Sequence, residues 1–278
     1  MEDDGGTEMK PQDIKVCVLR IEGTNCEDEM YEAFRAVGTA LEMVHLKQLL
    51  GQSSAKLKRN LEDYDILAMP GGFSAGDYVR AGAIFAARIK SGIGPQLKKF
   101  VEAEKPVLGI CNGFQILVEL GLLPAFEGTM SDVPTAALFT NDSARFECRP
   151  TLLRNDNRGK CIFTKGIEKK KVMMFPSAHA EGKLMSSDPN FVQKLEDNDQ
   201  IVFRYVAPNG KKAEYPWNPN GSQSDIAGIC NPAGNVLGLM PHPERALNAY
   251  NHPDWTRGNK EGEGDGIAVF KAVISTLK

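Results

Sequence analysis

No uninterrupted apolar run in the 278 residues reaches the ~18 positions that a membrane-spanning helix requires. No membrane partner is therefore expected. An excess of charge is also missing: 36 acidic against 33 basic residues leave a formal charge of −3, which gives no general attraction to nucleic acid or to an anionic bilayer. The opening residues Glu2, Asp3, Asp4 and Glu8 are acidic where an export or organelle signal would be basic or acid-poor, so a cytoplasmic location is expected. The six cysteines (Cys17, Cys26, Cys111, Cys148, Cys161, Cys230) include no pair at two-residue spacing, which argues against a zinc or dithiol site. There is no internal repeat and no low-complexity tract. The run Lys169-Lys170-Lys171 reads as a solvated turn. The triplets Asn141-Asp142-Ser143 and Asn220-Gly221-Ser222 match a glycosylation pattern, but carry no such meaning without a secretory signal.

What is present is a strict alternation of elements in the first half. Residues 1–13 are polar and aperiodic and read as a loose tail; a single domain is expected over residues 14–278. Lys15 to Ile21, Leu41 to Leu46, Ile66 to Met69 and Val107 to Ile110 read as short buried strands. Between and after them, helical spacing is predicted over Cys26 to Val37, over a Lys- and Gln-rich stretch after Leu46, over Ala83 to Glu104 with an interruption at Gly92 to Pro95, and over Asn112 to Leu120. Such alternation implies right-handed crossovers, hence an α/β fold with a doubly wound, mostly parallel sheet. The second half is turn-rich, with β-like runs at Val133 to Thr140, Ala144 to Pro150, Val172 to Phe175 and Ile201 to Val206, read as antiparallel additions at the sheet edge. Ile226 to Ile229 and Val236 to Met240 suit a hairpin, and Gly266 to Leu277 a closing helix.

The chemistry centres on Gly109-Ile110-Cys111-Asn112-Gly113. A cysteine after an apolar strand is often core packing. Here, glycines two positions to either side suit the sharp strand-to-helix turn of a nucleophile elbow, which holds its central residue in a strained conformation. A helix N-terminus also favours the thiolate form of a cysteine, and the backbone N–H of Asn112 is placed to meet a developing oxyanion. Of four histidines, two precede Pro and an acid: His242-Pro243-Glu244 and His252-Pro253-Asp254. His242 emerges directly from a strand whereas His252 lies in a polar loop, so His242 is the better-held base, with Glu244 to fix its tautomer. The proline is expected to keep this segment extended so that both side chains face one way. His45 reads as a strand or surface residue. His179, also followed two residues later by an acid, is a candidate for the same cleft. The loop Pro70-Gly71-Gly72-Phe73-Ser74-Ala75-Gly76-Asp77 lacks the lysine of a Walker loop; it suits the second half of an oxyanion hole, or a plain turn.

Together the G-x-C-x-G elbow, the PGG loop and His242-Pro243-Glu244 resemble the class I, triad-type glutamine amidotransferases. The blocks PGGFSAGDYVRAGAI (70–84), GICNGFQIL (109–117), NPNGSQSDIAGI (218–229) and GNVLGLMPHPER (234–245) are similar to the glutaminase subunits of phosphoribosylformylglycinamidine synthases. The resemblance implies a flavodoxin-like sheet, and Cys111 as nucleophile, His242 as general acid/base and Glu244 as its orienter. It implies an oxyanion hole from the backbone N–H groups of Gly72 and Asn112, and substrate contacts from Gly71, from Gln115 and from Asn141, Ser143 and Phe146. L-Glutamine would be the substrate and no cofactor is implied in this chain. A synthetase subunit using ATP and Mg²⁺, with a small accessory subunit, would use the ammonia to aminate formylglycinamide ribonucleotide in purine biosynthesis. Ala75 and Ala180 depart from residues common in the family, and the loop Asn251 to Gly264 is longer. Two other readings are weighed: a stand-alone cysteine hydrolase or deglycase, whose acid and histidine usually lie elsewhere, and a catalytically silent assembly subunit, against which the intact triad argues.

Overall fold

The computed structural model describes residues 9–257 and 261–277. The expected tail falls mostly outside them, but Pro11–Asp13 form a 3-10 turn. The first strand, β1 (Lys15–Arg20), pairs in parallel with β2 (Ala40–His45) on one side and β3 (Ile66–Met69) on the other. β3 pairs in parallel with β4 (Val107–Ile110). All four central residues of β1 and every residue of β3 and β4 are buried, which is why these strands read as continuous apolar runs rather than alternating ones.

The crossovers are helices. α1 (Glu27–Ala36) buries Met30, Ala33 and Phe34 and returns the chain from β1 to β2. The following α2 (Leu46–Leu49) is a single turn, shorter than expected, because Gly51 (φ 67°) ends it before a turn-rich segment. His45 caps this turn, its Nδ1 accepting from Lys47 N at 3.2 Å. α3 (Ala83–Glu102) runs through Pro95 with one distorted residue, Ile93 (φ −128°), in the interval where the sequence predicts a break. α4 (Asn112–Glu119) follows β4 directly. Because β1→β2 and β3→β4 step in opposite directions across the sheet, right-handed crossovers place α1 and α3 on opposite faces.

The second half extends the same sheet in the order β2-β1-β3-β4-β11-β10-β9-β6-β7. Here β6 is Glu147–Asn155, β7 Val172–His179, β9 Ile201–Tyr205, β10 Ile226–Cys230 and β11 Val236–Leu239. β11 lies parallel to β4, and every ladder beyond it is antiparallel. A separate two-stranded ladder joins β5 (Ala137–Thr140) to β8 (Glu181–Met185). β8 and the short α5 (Phe191–Asp197) are elements that sequence patterning does not predict. α6 (Ile267–Thr276) closes the chain against α1, with Phe270 edge-on to Phe34 at 5.1 Å. One continuous core includes Val18, Ile110, Phe203 and Phe270. The carboxyl ends of β1, β3, β4 and β11 converge on one edge, the usual place for a site in an open α/β sheet.

Candidate active site

Cys111 sits between β4 and α4 with φ 52° and ψ −106°, a conformation that an L-residue adopts only when its surroundings impose it. The imposition is visible. Its N–H donates to Leu239 O of β11 at 2.8 Å, and its carbonyl accepts from Gln115 N at 3.1 Å, so sheet and helix hold it from both sides. A Cβ on Gly109 would lie 2.6 Å from Gly113 O, and one on Gly113 would lie 2.9 Å from the carbonyl carbon of Met69. The flanking glycines are therefore required by backbone approach, as an elbow demands.

His242 leaves β11 through Pro241, and its N–H donates to Pro176 O of β7 at 2.8 Å. Its Nδ1 meets Glu244 Oε1 at 2.6 Å, with both residues buried (1% and 3% exposed). The segment is not extended as the sequence suggests: Pro243–Arg245 form a 3-10 turn, since the fixed φ of proline suits the first position of a turn as well as it suits a strand. The turn brings Glu244 back onto its own histidine. Burial opposes charge on this imidazole, but the Glu244 carboxylate and then the Cys111 thiol outweigh it and raise the pKa to about 10. His242 Nε2 has no well-aligned hydrogen bond among the described residues and is left for the thiol and for a reacting group.

The glycine-rich loop closes the other side. A Cβ on Gly71 would stand 2.9 Å from His242 Cε1 and 3.3 Å from Cys111 Cβ, so the loop touches both members of the pair. Asn112 ties this loop to the elbow: its Oδ1 accepts from Ser74 N at 3.4 Å and its Nδ2 donates to Gln115 Oε1 at 2.9 Å. Among the described residues, neither the Gly72 nor the Asn112 backbone N–H donates to a protein acceptor, as expected of donors kept for a ligand.

A cavity of about 290 Å³ opens onto Cys111 and His242. Gln115 and Phe146 line it, as does His179. Gln115 is anchored at both ends, its Nε2 donating to Glu181 O at 2.5 Å, and Phe146 stacks against Phe73 at the rim with ring centroids 6.2 Å apart. Asn141 is placed differently. It is buried behind the wall, where its Nδ2 donates to Arg145 O and His179 O and its Oδ1 faces His179 Nδ1 at 3.1 Å. Ser143 likewise does not line the cavity. His252 lies in the loop that lines a separate depression with Glu261 and Asp265. Of the loop Asn251 to Gly264, residues 258–260 lie outside the described residues. Among the described residues no three His, Cys, Asp or Glu side chains cluster as a metal site would need, and no helix is long and apolar enough to cross a membrane.

Sequence reasoning assigns no role to several lining groups, among them Arg245, Cys26, Asp77 and Glu181. Arg245 Nη2 reaches Cys26 Sγ at 3.0 Å and Glu29 at 3.2 Å; burial pushes the Cys26 thiol up to about 12. Asp77 ends the glycine-rich loop, and burial together with the Glu181 carboxylate raises its pKa to about 6. Arg245 and Asp77 had a local signal, being the residues that close the two motifs, and Glu181 had one as the acid two residues after His179. Cys26, at the N-cap of α1, and Glu181, at the start of β8, are brought in by topology.

Residues 13–275 match the CobB/CobQ-like glutamine amidotransferase domain family. The chain is 52% identical over 276 residues to phosphoribosylformylglycinamidine synthase subunit PurQ of Archaeoglobus fulgidus, covering 97% of this chain and 99% of that one. It is 43% identical to the PurQ subunit of Picrophilus torridus, over 90% of this chain and 94% of the relative. Among solved structures it is similar to that of PurLQS from Thermotoga maritima, with 34% identity, a TM-score of 0.71 and coverage of 95% of this chain and 99% of the matched chain. An elbow cysteine, a carboxylate-held histidine and an idle pair of backbone donors are thus found on a chain that belongs to the glutamine amidotransferase family, among its PurQ subunits.

Proposed function

We propose that this chain hydrolyses L-glutamine to glutamate and passes the ammonia to a synthetase partner that converts formylglycinamide ribonucleotide to formylglycinamidine ribonucleotide. The amidotransferase unit would span residues 14–278 behind a tail at 1–13. The observation that carries the reading is the strained Cys111 beside a buried imidazole that Glu244 keeps charged. An imidazolium is the counter-ion a thiolate needs, and it is also the acid that a departing amine needs.

The thiolate of Cys111 attacks the side-chain amide carbon. The backbone N–H groups of Gly72 and Asn112 receive the oxyanion, and His242 Nε2–H protonates the amide nitrogen as the C–N bond breaks. Ammonia and a γ-glutamyl thioester result. Water, giving its proton to the now neutral His242, attacks the thioester carbonyl, and the thiolate leaves with glutamate as product. The cavity carries the carboxyls of Asp77 and Glu181 and the guanidinium of Arg245, which complement a zwitterionic amino acid. Gln115 and Phe146 would bear on its body, with Asn141 and Ser143 acting from behind the wall.

Ammonia set free in water would be protonated and lost as a nucleophile, so the product is of use only if it is handed over. The similarity to PurQ subunits supports a synthetase and a small accessory subunit as the receiving assembly, with ATP and Mg²⁺ used there and not on this chain. A cytoplasmic site of action accords with that role. Intact mass after incubation with diazo-oxonorleucine tests the reading: one adduct is expected on the wild type, alone or with the synthetase, and none on Cys111→Ala. Equal labelling of both proteins would remove Cys111 as nucleophile.

A further inference from the structure

Two buried histidines face the same cavity, and only one has a task in the mechanism. His179, at the end of β7, is 3% exposed. The orientation of the Asn141 amide is fixed by three backbone contacts: its Nδ2 donates to Arg145 O at 2.9 Å and to His179 O at 2.8 Å, and its Oδ1 accepts from Gly182 N at 3.2 Å. An oxygen that only accepts therefore faces His179 Nδ1, so that nitrogen must carry the proton. The other ring nitrogen is then a bare acceptor. Nε2 is buried and no polar group among the described residues reaches it. Leaving such a group unmatched costs free energy, which a site tolerates where a ligand supplies the partner.

The environment also prevents this ring from charging. Burial, and then the positive charge of His242, lower the His179 pKa to about 3. A histidine of ordinary pKa would present Nε2–H for part of the time and donate; this one only accepts.

We propose that His179, with its proton on Nδ1, presents Nε2 as an acceptor that positions the nitrogen of the substrate amide and then holds the released ammonia. The inference rests on the glutaminase reading above and assigns a role to a wall residue that the hydrolysis itself leaves unused. In the step concerned, the C–N bond of the tetrahedral adduct breaks, its electron pair stays on nitrogen, and His242 Nε2–H supplies one proton. The NH₃ so formed points one N–H at His179 Nε2, and no proton changes hands there. The product thus leaves the thiol as a nucleophile and not as ammonium. His179 acts by positioning, and Asn141 positions His179.

The test compares two substrates on the full-length chain assembled with its synthetase and small subunit: L-glutamine, and L-glutamate γ-methyl ester, whose leaving group has no N–H to offer His179. His179→Asn keeps a donor for Asn141 but removes the acceptor at Nε2. His179→Gln places an amide oxygen near the Nε2 position. His179→Asn should lose roughly 10- to 100-fold in kcat/KM on glutamine while staying within about threefold on the ester, and His179→Gln should recover most of the glutamine activity. Equal losses on both substrates, with the wild type active, would make His179 a packing residue and overturn the proposal; so would undiminished glutamine turnover in His179→Asn. A wild type that hydrolyses neither substrate and takes no label at Cys111 would instead overturn the glutaminase reading itself.

Discussion

The two halves of the sheet contribute different things to one cavity. The parallel half brings reactive groups to its strand ends: Cys111 after β4, Gly71 and Gly72 after β3, and His242 with Glu244 after β11. The antiparallel half brings a wall, with Ala178, His179 and Glu181 along the turn from β7 to β8. The histidines make the contrast chemical. Both are buried, yet one has its pKa raised to about 10 and the other lowered to about 3. The ring neighbour decides the direction: an anionic carboxylate at 2.6 Å from His242 Nδ1, a neutral amide at 3.1 Å from His179 Nδ1. Burial alone disfavours the charged imidazole in either place; at His242 the carboxylate, and after it the Cys111 thiol, reverse it.

The sharpest way to break this contrast is to give both histidines an amide. Glu244→Gln keeps the shape of the orienting side chain and removes its charge, so His242 should lose the carboxylate that keeps it protonated. Glutamate release should fall by about 10²- to 10⁴-fold in kcat, by analogy with loss of the orienting carboxylate in other triads. A loss of less than about tenfold would mean that the thiol, and not Glu244, sets the state of His242. Next in size is Gly71→Ala. Its Cβ would lie 2.9 Å from His242 Cε1, so the ring or the loop must shift, and a displacement of that order costs roughly 10- to 100-fold in turnover. Steady-state kinetics that match the wild type would show that the loop, unlike the elbow, gives way without consequence.

The same division explains what could be read without coordinates. β3 and β4 coincide with the predicted strands because each is a short apolar run with a proline at one end, Pro70 after β3 and Pro106 before β4, and both faces are buried, so no alternation is needed to find them. The elbow was legible for a related reason: its requirement for two glycines around one residue is local. β8 was not, since Glu181-Gly182-Lys183-Leu184-Met185 opens on polar residues and a glycine, alternates half-buried with buried positions and pairs with β5 outside the main sheet. Nor was the role of Asn141. Resemblance pointed to it as a substrate contact, whereas the fold turns it away from the cavity and onto His179, a relation across 38 positions with no trace in spacing. The pairing of Arg245 with Cys26, separated by 219 positions, is of the same kind. Motifs report chemistry built from neighbours in sequence; walls are assembled by topology.

The smallest effect sharpens the comparison through stability. His242, whose pKa is raised on folding, contributes stability that is complete below the unfolded value of 6.5 and is lost as pH climbs through about 10. His179 has the opposite sign: neutral in the fold down to about pH 3, it leaves the unfolded chain to take up a proton below 6.5, so it costs stability progressively as pH falls across that window. On the acid limb His242 is protonated in both states, and taking the difference between the wild type and a His179 variant removes the contributions the two proteins share, that of Asp77 included. Urea unfolding of the wild type and of His179→Gln between pH 6 and pH 4 should diverge. The wild-type stability should fall relative to the variant by up to about 1.4 kcal/mol for each unit of acidification, the value of one proton bound only by the unfolded chain. Parallel curves would mean that His179 takes up its proton in the folded state as readily as in the unfolded one, and the difference between the two sides of the cavity would then rest on geometry without the opposed charge states.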